Sequence, residues 1–159
     1  MPTPDELATN GLLEKYDPEL SPLEQPLRMI YFTPQAAEWI ADELPSIKSD
    51  QFVEGSVKPL EQAMGYLDMF VTAEELSGML PKALKPYDAG IWELRTPDLR
   101  FFGWFWRRAV FVISAVGVKA QLQSGQTIYA GYVEQAKHHR RQLDLDEPKF
   151  VKGEIKDVF

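Results

Sequence analysis

Cysteine is absent from the 159-residue chain, which excludes disulfides and thiolate metal sites. Histidine is nearly so: the two present, His138 and His139, are neighbours. Adjacent helical residues point about 100° apart, so they do not chelate one ion as an i, i+4 pair does. No metal site and no cofactor is expected. No apolar run approaches the ~20 residues of a membrane-spanning helix. The start, M-P-T-P-D-E-L, has neither the basic nor the apolar region of a secretory signal, so a cytoplasmic protein without membrane contact is expected. What remains, 45% apolar and 12% aromatic, is an ordinary globular composition with enough chain for one core.

Charge is unevenly spread. Between Lys85 and Arg141 there are nine lysines and arginines against four acidic residues, a formal +5; the whole chain is −7, so the remainder carries −12. A basic block inside an acidic protein points to a local anionic partner, and nucleic acid is the first candidate.

Local signals divide the chain into three parts. Residues 1–27 are acidic and hold five prolines, leaving room for a short helix within 5–16 that starts near Thr3 or Asp5. Two readings stay open for this extension: a surface-draped or mobile arm, or an acidic arm folded over the basic block. Residues 28–143 form the domain. L-R-M-I-Y-F predicts a strand, and Thr33-Pro34 an N-cap with proline in the first turn of a helix that ends before Pro45. Leu60, Met64, Leu67 and Phe70 have helical spacing, predicting a helix over 56–70. Thr72-Ala73-Glu74-Glu75 reads as another helix start, followed by short turns through Gly78, Pro81 and Pro86. I-W-E-L-R alternates, placing Trp92 and Leu94 opposite Glu93 and Arg95. L-R-F-F-G-W-F-W-R-R predicts a strand apolar on both faces and therefore central. A tight connection at Arg107-Arg108-Ala109 leads to a third strand, V-F-V-I-S-A-V-G; Q-L-Q-S-G-Q reads as a loop; a closing helix spans 127–143 with Ile128, Tyr132, Ala136 and His139 on one side. Residues 144–159 are a tail or an added strand. The fold class is α+β: a small, antiparallel-rich sheet with helices packed on one side.

This order, with G-I-W-E-L-R, D-L-R-F-F-G-W-F and V-F-V-I-S-A-V-G-V-K before a helix ending in basic residues, resembles the RelE/HigB toxin superfamily, especially its phage-derived HigB-like branch. The resemblance implies a RelE-like domain and a metal-independent mRNA endonuclease, often acting on the ribosome and neutralised by a partner antitoxin. Such enzymes use the RNA 2′-hydroxyl as nucleophile, and cations stabilise the pentacoordinate phosphate. Carried onto this sequence, the resemblance makes Arg100 the clamp on the scissile phosphate and Arg95 its support. Lys119 becomes the first basic residue of the exit after the third strand. Tyr129 or one of the histidines would supply an aromatic or acid–base group. Arg107, Arg108, Lys137, Arg140 and Arg141 are candidates for binding the rest of the RNA.

Competing readings stand beside these. Arg95 and Arg100 would equally serve as surface partners of Glu93 and Asp98. Phe102, Trp104 and Trp106 share a strand face with Arg100 and would either stack bases or fill the core, unless Gly103 marks a bulge. The K-H-H-R-R cluster would simply be a solvated helix end facing the helix dipole. After Lys119 the chain has A-Q-L-Q-S-G-Q where the family often has further cations, and glutamine does not neutralise phosphate. That departure favours the alternative of a catalytically weakened or inactive protein-binding accessory factor of phage or prophage origin.

Overall fold

Six strands form one mixed sheet: β1 (Glu14–Lys15), β2 (Met29–Phe32), β3 (Lys82–Ala83), β4 (Trp92–Arg95), β5 (Leu99–Arg107) and β6 (Val110–Val118). They come from a computed structural model that describes residues 2–18, 20–49, 57–76, 79–123 and 125–159. Their order in space is β1-β2-β6-β5-β4-β3. Neighbours are antiparallel except β2 and β6, which run parallel because two helices intervene between β2 and the β4–β6 meander. Those helices are α2 (Pro34–Asp42) and α3 (Pro59–Thr72). Among the described residues no helix is long and apolar enough to cross a membrane.

The α+β class holds, but the helices divide between both faces of the sheet instead of gathering on one. On the first face, Ile30, Phe32, Leu94, Phe101, Phe105 and Ile113 pack against α2 and α3. On the other, Tyr31, Phe102, Trp104 and Val112 pack against α1 (Pro4–Thr9), α4 (Lys119–Leu122) and α5 (Gln126–Gln142). The reason lies in β5, whose two faces are both apolar, so a single helical layer would leave Phe102 and Trp104 in water. Burying an aromatic side chain contributes on the order of 2 kcal/mol, enough to draw the second layer in.

Thr33 caps α2 by accepting from the Ala36 amide at 3.3 Å, and Pro34 follows in the first turn, as read from the sequence. The T-A-E-E run differs. Thr72 closes α3, and Ala73 stops it in a left-handed conformation at φ 61°. The buried side of α3 runs on through Phe70 and Val71, so tertiary packing carries the helix across the local start signal. The glutamine-rich segment after β6 also differs, because residues 119–122 form α4, anchored by the buried Leu122. The predicted helix start at Ser56 and the turn at Gly78 lie outside the described residues.

Both ends of the chain contribute to the core. α1 is closed by a reciprocal capping box between Thr3 and Glu6, and its Leu7 is buried with Leu13. Asp5 pairs with Lys15 and accepts a hydrogen bond from the Tyr31 hydroxyl, so its charge is spent beside β1 and β2. Residues 144–159 run along β5 before reaching the opposite face. The Trp106 indole donates to the Asp146 carbonyl at 3.1 Å, and Arg107 donates to the Pro148 carbonyl at 2.6 Å. The Val151 amide donates to Phe105 at 2.9 Å. The short α6 (Ile155–Val158) then buries Val158 and lays Phe159 under the Arg28 guanidinium, 3.5 Å from the ring centre.

Candidate functional site at one end of the sheet

The hairpin register decides which cations meet. Arg95 on β4 lies directly opposite Arg100 on β5, and Arg100 lies opposite Gly117 on β6. Two residues further, Lys119 opens α4 with its amide donating to the Asp98 carbonyl at 2.8 Å. Arg95, Arg100 and Lys119 therefore gather at one end of three adjacent strands. All three are partly exposed.

Neither arginine pairs with its acidic neighbour in sequence. Arg100 donates from Nη1 to the Thr96 and Leu99 carbonyls at 2.7 and 2.8 Å, which fixes its guanidinium over the turn. Arg95 donates to the Leu80 carbonyl at 3.2 Å, while its buried Nε has no acceptor among the described residues. Asp98 accepts instead from Gln62 Nε2 at 2.8 Å. Ion pairing across the hairpin does not account for these arginines.

Glu93 is the residue the sequence reading missed. Alternation puts it opposite Trp92, where it would serve as a surface partner for an arginine, yet it is only 3% exposed because α5 covers that face. Its Oε2 is buried without a hydrogen-bond partner. Burial holds its pKa above the ordinary carboxylate value, against the opposing pull of Arg100 and of the Tyr129 hydroxyl. Tyr129, on the first turns of α5, is also raised, first by burial and then by the Glu93 charge, while the Arg100 charge pulls it the other way. An acid, a phenol and a guanidinium thus form one contiguous polar group beneath the cationic end of the sheet. The sequence signal for it was a charged residue in a strand flanked on both sides by bulky apolar residues.

The Glu93 shift has a testable sign. A carboxyl whose folded-state pKa is raised contributes stability below its ordinary value of 4.5, and that contribution is lost as pH rises through the folded-state value. Glu93→Gln, which does not ionise, should match wild type in urea unfolding below pH 4.5 and exceed it at pH 7. Equal midpoints at neutral pH would show that Arg100 and Tyr129 fully compensate the buried charge.

The remaining basic candidates do not join this group. Arg107 and Arg108 sit at the far end of the β5–β6 hairpin, roughly 23 Å from Arg100 at ~3.3 Å per residue. Arg107 is engaged with the 147–148 carbonyls and packs over Trp106 at 4.1 Å, while Arg108 is exposed. Lys137 pairs with Glu134 at 3.0 Å within α5. Arg140 is buried against Phe150, so the closing helix end is not simply solvated, and Arg141 is exposed.

The aromatics of β5 belong to the core. Phe102 stacks on Tyr132, ring centres 4.7 Å apart and planes 14° apart, with Tyr129 edge-on at 5.6 Å. Phe102 and Trp104 are fully buried, which leaves no ring face for a base. His139 reaches Ser114 on β6, with Nδ1 2.6 Å from Oγ. Among the described residues no group of three histidine, aspartate or glutamate side chains is arranged to hold a metal ion.

Compared with protein-family models, with curated proteins and with solved structures, the chain matches none of them.

Proposed function

We propose that this protein is a RelE/HigB-like, metal-independent RNA endonuclease of the cytoplasm whose activity is checked by an antitoxin protein. The single observation that carries the reading is the meeting of Arg95, Arg100 and Lys119 at one sheet end, beside Glu93 and Tyr129. Three cations at one end of adjacent strands suit a phosphodiester, and two of them are arginines able to hold phosphate oxygens in a fixed geometry. Arg100, already immobilised by two carbonyls, is the natural clamp for charge that builds on the phosphate when the RNA 2′-hydroxyl attacks. Lys119 adds a mobile positive charge to the same oxygens. Tyr129, held protonated by its raised pKa, is suited to donate a proton to the departing oxygen. Glu93 positions Tyr129 and Arg100 and, being buried, does not touch the RNA. Messenger RNA, often on the ribosome, is the substrate class this reading carries.

A second reading has its own observation. α4 presents Gln121 and Gln123 after Lys119, and Arg107 and Arg140 are occupied by internal packing. Two of the basic candidates are thus withdrawn from holding a long RNA, which favours a non-catalytic protein-binding factor on the same fold.

Induced expression in bacteria separates the two. Wild type should arrest growth with loss of mRNA, and Arg100→Ala or Lys119→Ala should relieve both. Normal growth with intact transcripts at high soluble expression of wild type would overturn the nuclease and leave the binding factor.

A further inference from the structure

Away from the arginine–lysine end of the sheet, α5 buries a cation that has no counter-ion among the described residues. Arg140 is 8% exposed, and its Nη1 has no hydrogen-bond acceptor among the described residues. Its guanidinium carbon lies 3.6 Å from the centre of the Phe150 ring and 5.9 Å from that of Trp104. The Trp104 indole Nε1, fully buried, also lacks an acceptor. Both groups are donors only, so neither satisfies the other. Charge of the same sign is close by: Arg141 follows in the chain and acts on Arg140, and Lys152 Nζ stands 5.8 Å from the centre of the Phe150 ring. Asp144, Asp146 and Glu147 lie on the adjoining tail, yet none forms an ion pair with Arg140.

From this geometry we infer a binding site for one small inorganic anion of the halide class between α5 and β5, formed by Arg140 Nη1 and Trp104 Nε1. An anion accepts from both donors and neutralises a guanidinium that otherwise sits desolvated beside like charge. Water supplies the acceptor but not the charge. The ring of Phe150 compensates part of the cost by cation–π contact and closes the outer side. That ring is itself held in place: Gly90 lies beneath it at φ 67°, and a Cβ there would come within 2.4 Å of Phe150 Cδ2. Burial and the neighbouring Arg141 bring the Arg140 pKa down to about 10, so the group is still charged at neutral pH and still in need of a counter-ion. The site is independent of the RNA reading, since it shares no residue with the Arg100 group.

Thermal unfolding of the full chain, with chloride exchanged for gluconate at constant ionic strength, tests the site. A ligand bound only by the folded state raises the unfolding midpoint by an equal step for each tenfold rise in its concentration above Kd. Chloride and bromide should both do so in wild type, and Trp104→Phe, which keeps the ring but removes the N–H, should shrink the step. Crystals grown in bromide should show one anomalous peak within hydrogen-bond reach of both nitrogens, a readout that does not depend on any variant folding. A midpoint indifferent to chloride, a full step retained in Trp104→Phe, or a water refined at that position with no anomalous signal would each overturn the site.

Discussion

Gly103→Ala should be among the most destabilising single substitutions in this protein. A Cβ at this position would fall 1.8 Å from the Val112 carbonyl oxygen and 2.9 Å from its carbon, a collision with backbone that no side-chain rotation relieves. The close approach arises from a bulge. Phe102 pairs with Ala115 and Gly103 with Ile113, so Ser114 is the extra residue on β6, and the strands draw together around it. Moving β6 away would disturb Phe111, Val112 and Ile113, all fully buried and contributing to both cores. The expected cost is on the order of 4 kcal/mol or more, among the largest a single substitution produces. A domain of this size has roughly 5–15 kcal/mol in total. Recovery of soluble Gly103→Ala with a urea midpoint near wild type would show that the hairpin gives way more easily than its packing implies. The sequence reading allowed a bulge at Gly103 and expected it to upset the alternation of β5. The extra residue lies instead on the partner strand, so Arg100, Phe102 and Trp104 keep to one side.

Arg100→Ala carries the second large effect, on activity and not on folding. Under the proposed function this side chain stabilises charge on the phosphate, and loss of one such donor typically lowers turnover by about 10²–10³-fold. Arg100 is partly exposed and its hydrogen bonds go to carbonyls of its own turn, so the unfolding midpoint should fall only by the share of the buried Glu93 charge that it compensates, and should be unchanged below pH 4.5. Arg107→Ala gives the opposite pattern. Its guanidinium bridges β5 to the 147–148 carbonyls, so stability should fall by about 1 kcal/mol while cleavage of an RNA oligonucleotide stays within a fewfold of wild type. Should both variants lose cleavage and stability in the same proportion, Arg100 would be a structural residue and the phosphate clamp would lie elsewhere.

Those two arginines show how far local sequence reaches. Both sit on one strand and both looked like RNA contacts, since type and spacing do not distinguish them. Register placed Arg100 opposite Arg95 and next to the β6 exit, whereas the tail, distant in sequence, claimed Arg107. Arg140 was legible as a cation at the end of a helix. It was not legible as buried, because what covers it is Phe150, ten residues further on and returning from a separate segment. Glu93 was legible as one half of an alternating pattern. That neither half faces water depended on the landing place of α5.

By itself, the sequence determined the main elements, β2, α2, α3, β4, β5, β6 and α5, and their order, but not β1, β3, α4 or α6. Alternation, caps and prolines act within a few residues, and the energies they command are decided locally: Thr33-Pro34, the W-E-L-R strand, the two-faced apolar β5 and the closing helix all follow from them. The tertiary structure alone decided the second helical layer, the core-forming ends of the chain, the burial of Glu93 and the separation of one basic block into a working cluster, packing residues and exposed charges. These depend on contacts between segments far apart in the chain. There a desolvation cost or a shared carbonyl outweighs any local preference, and only the assembled sheet fixes which groups meet.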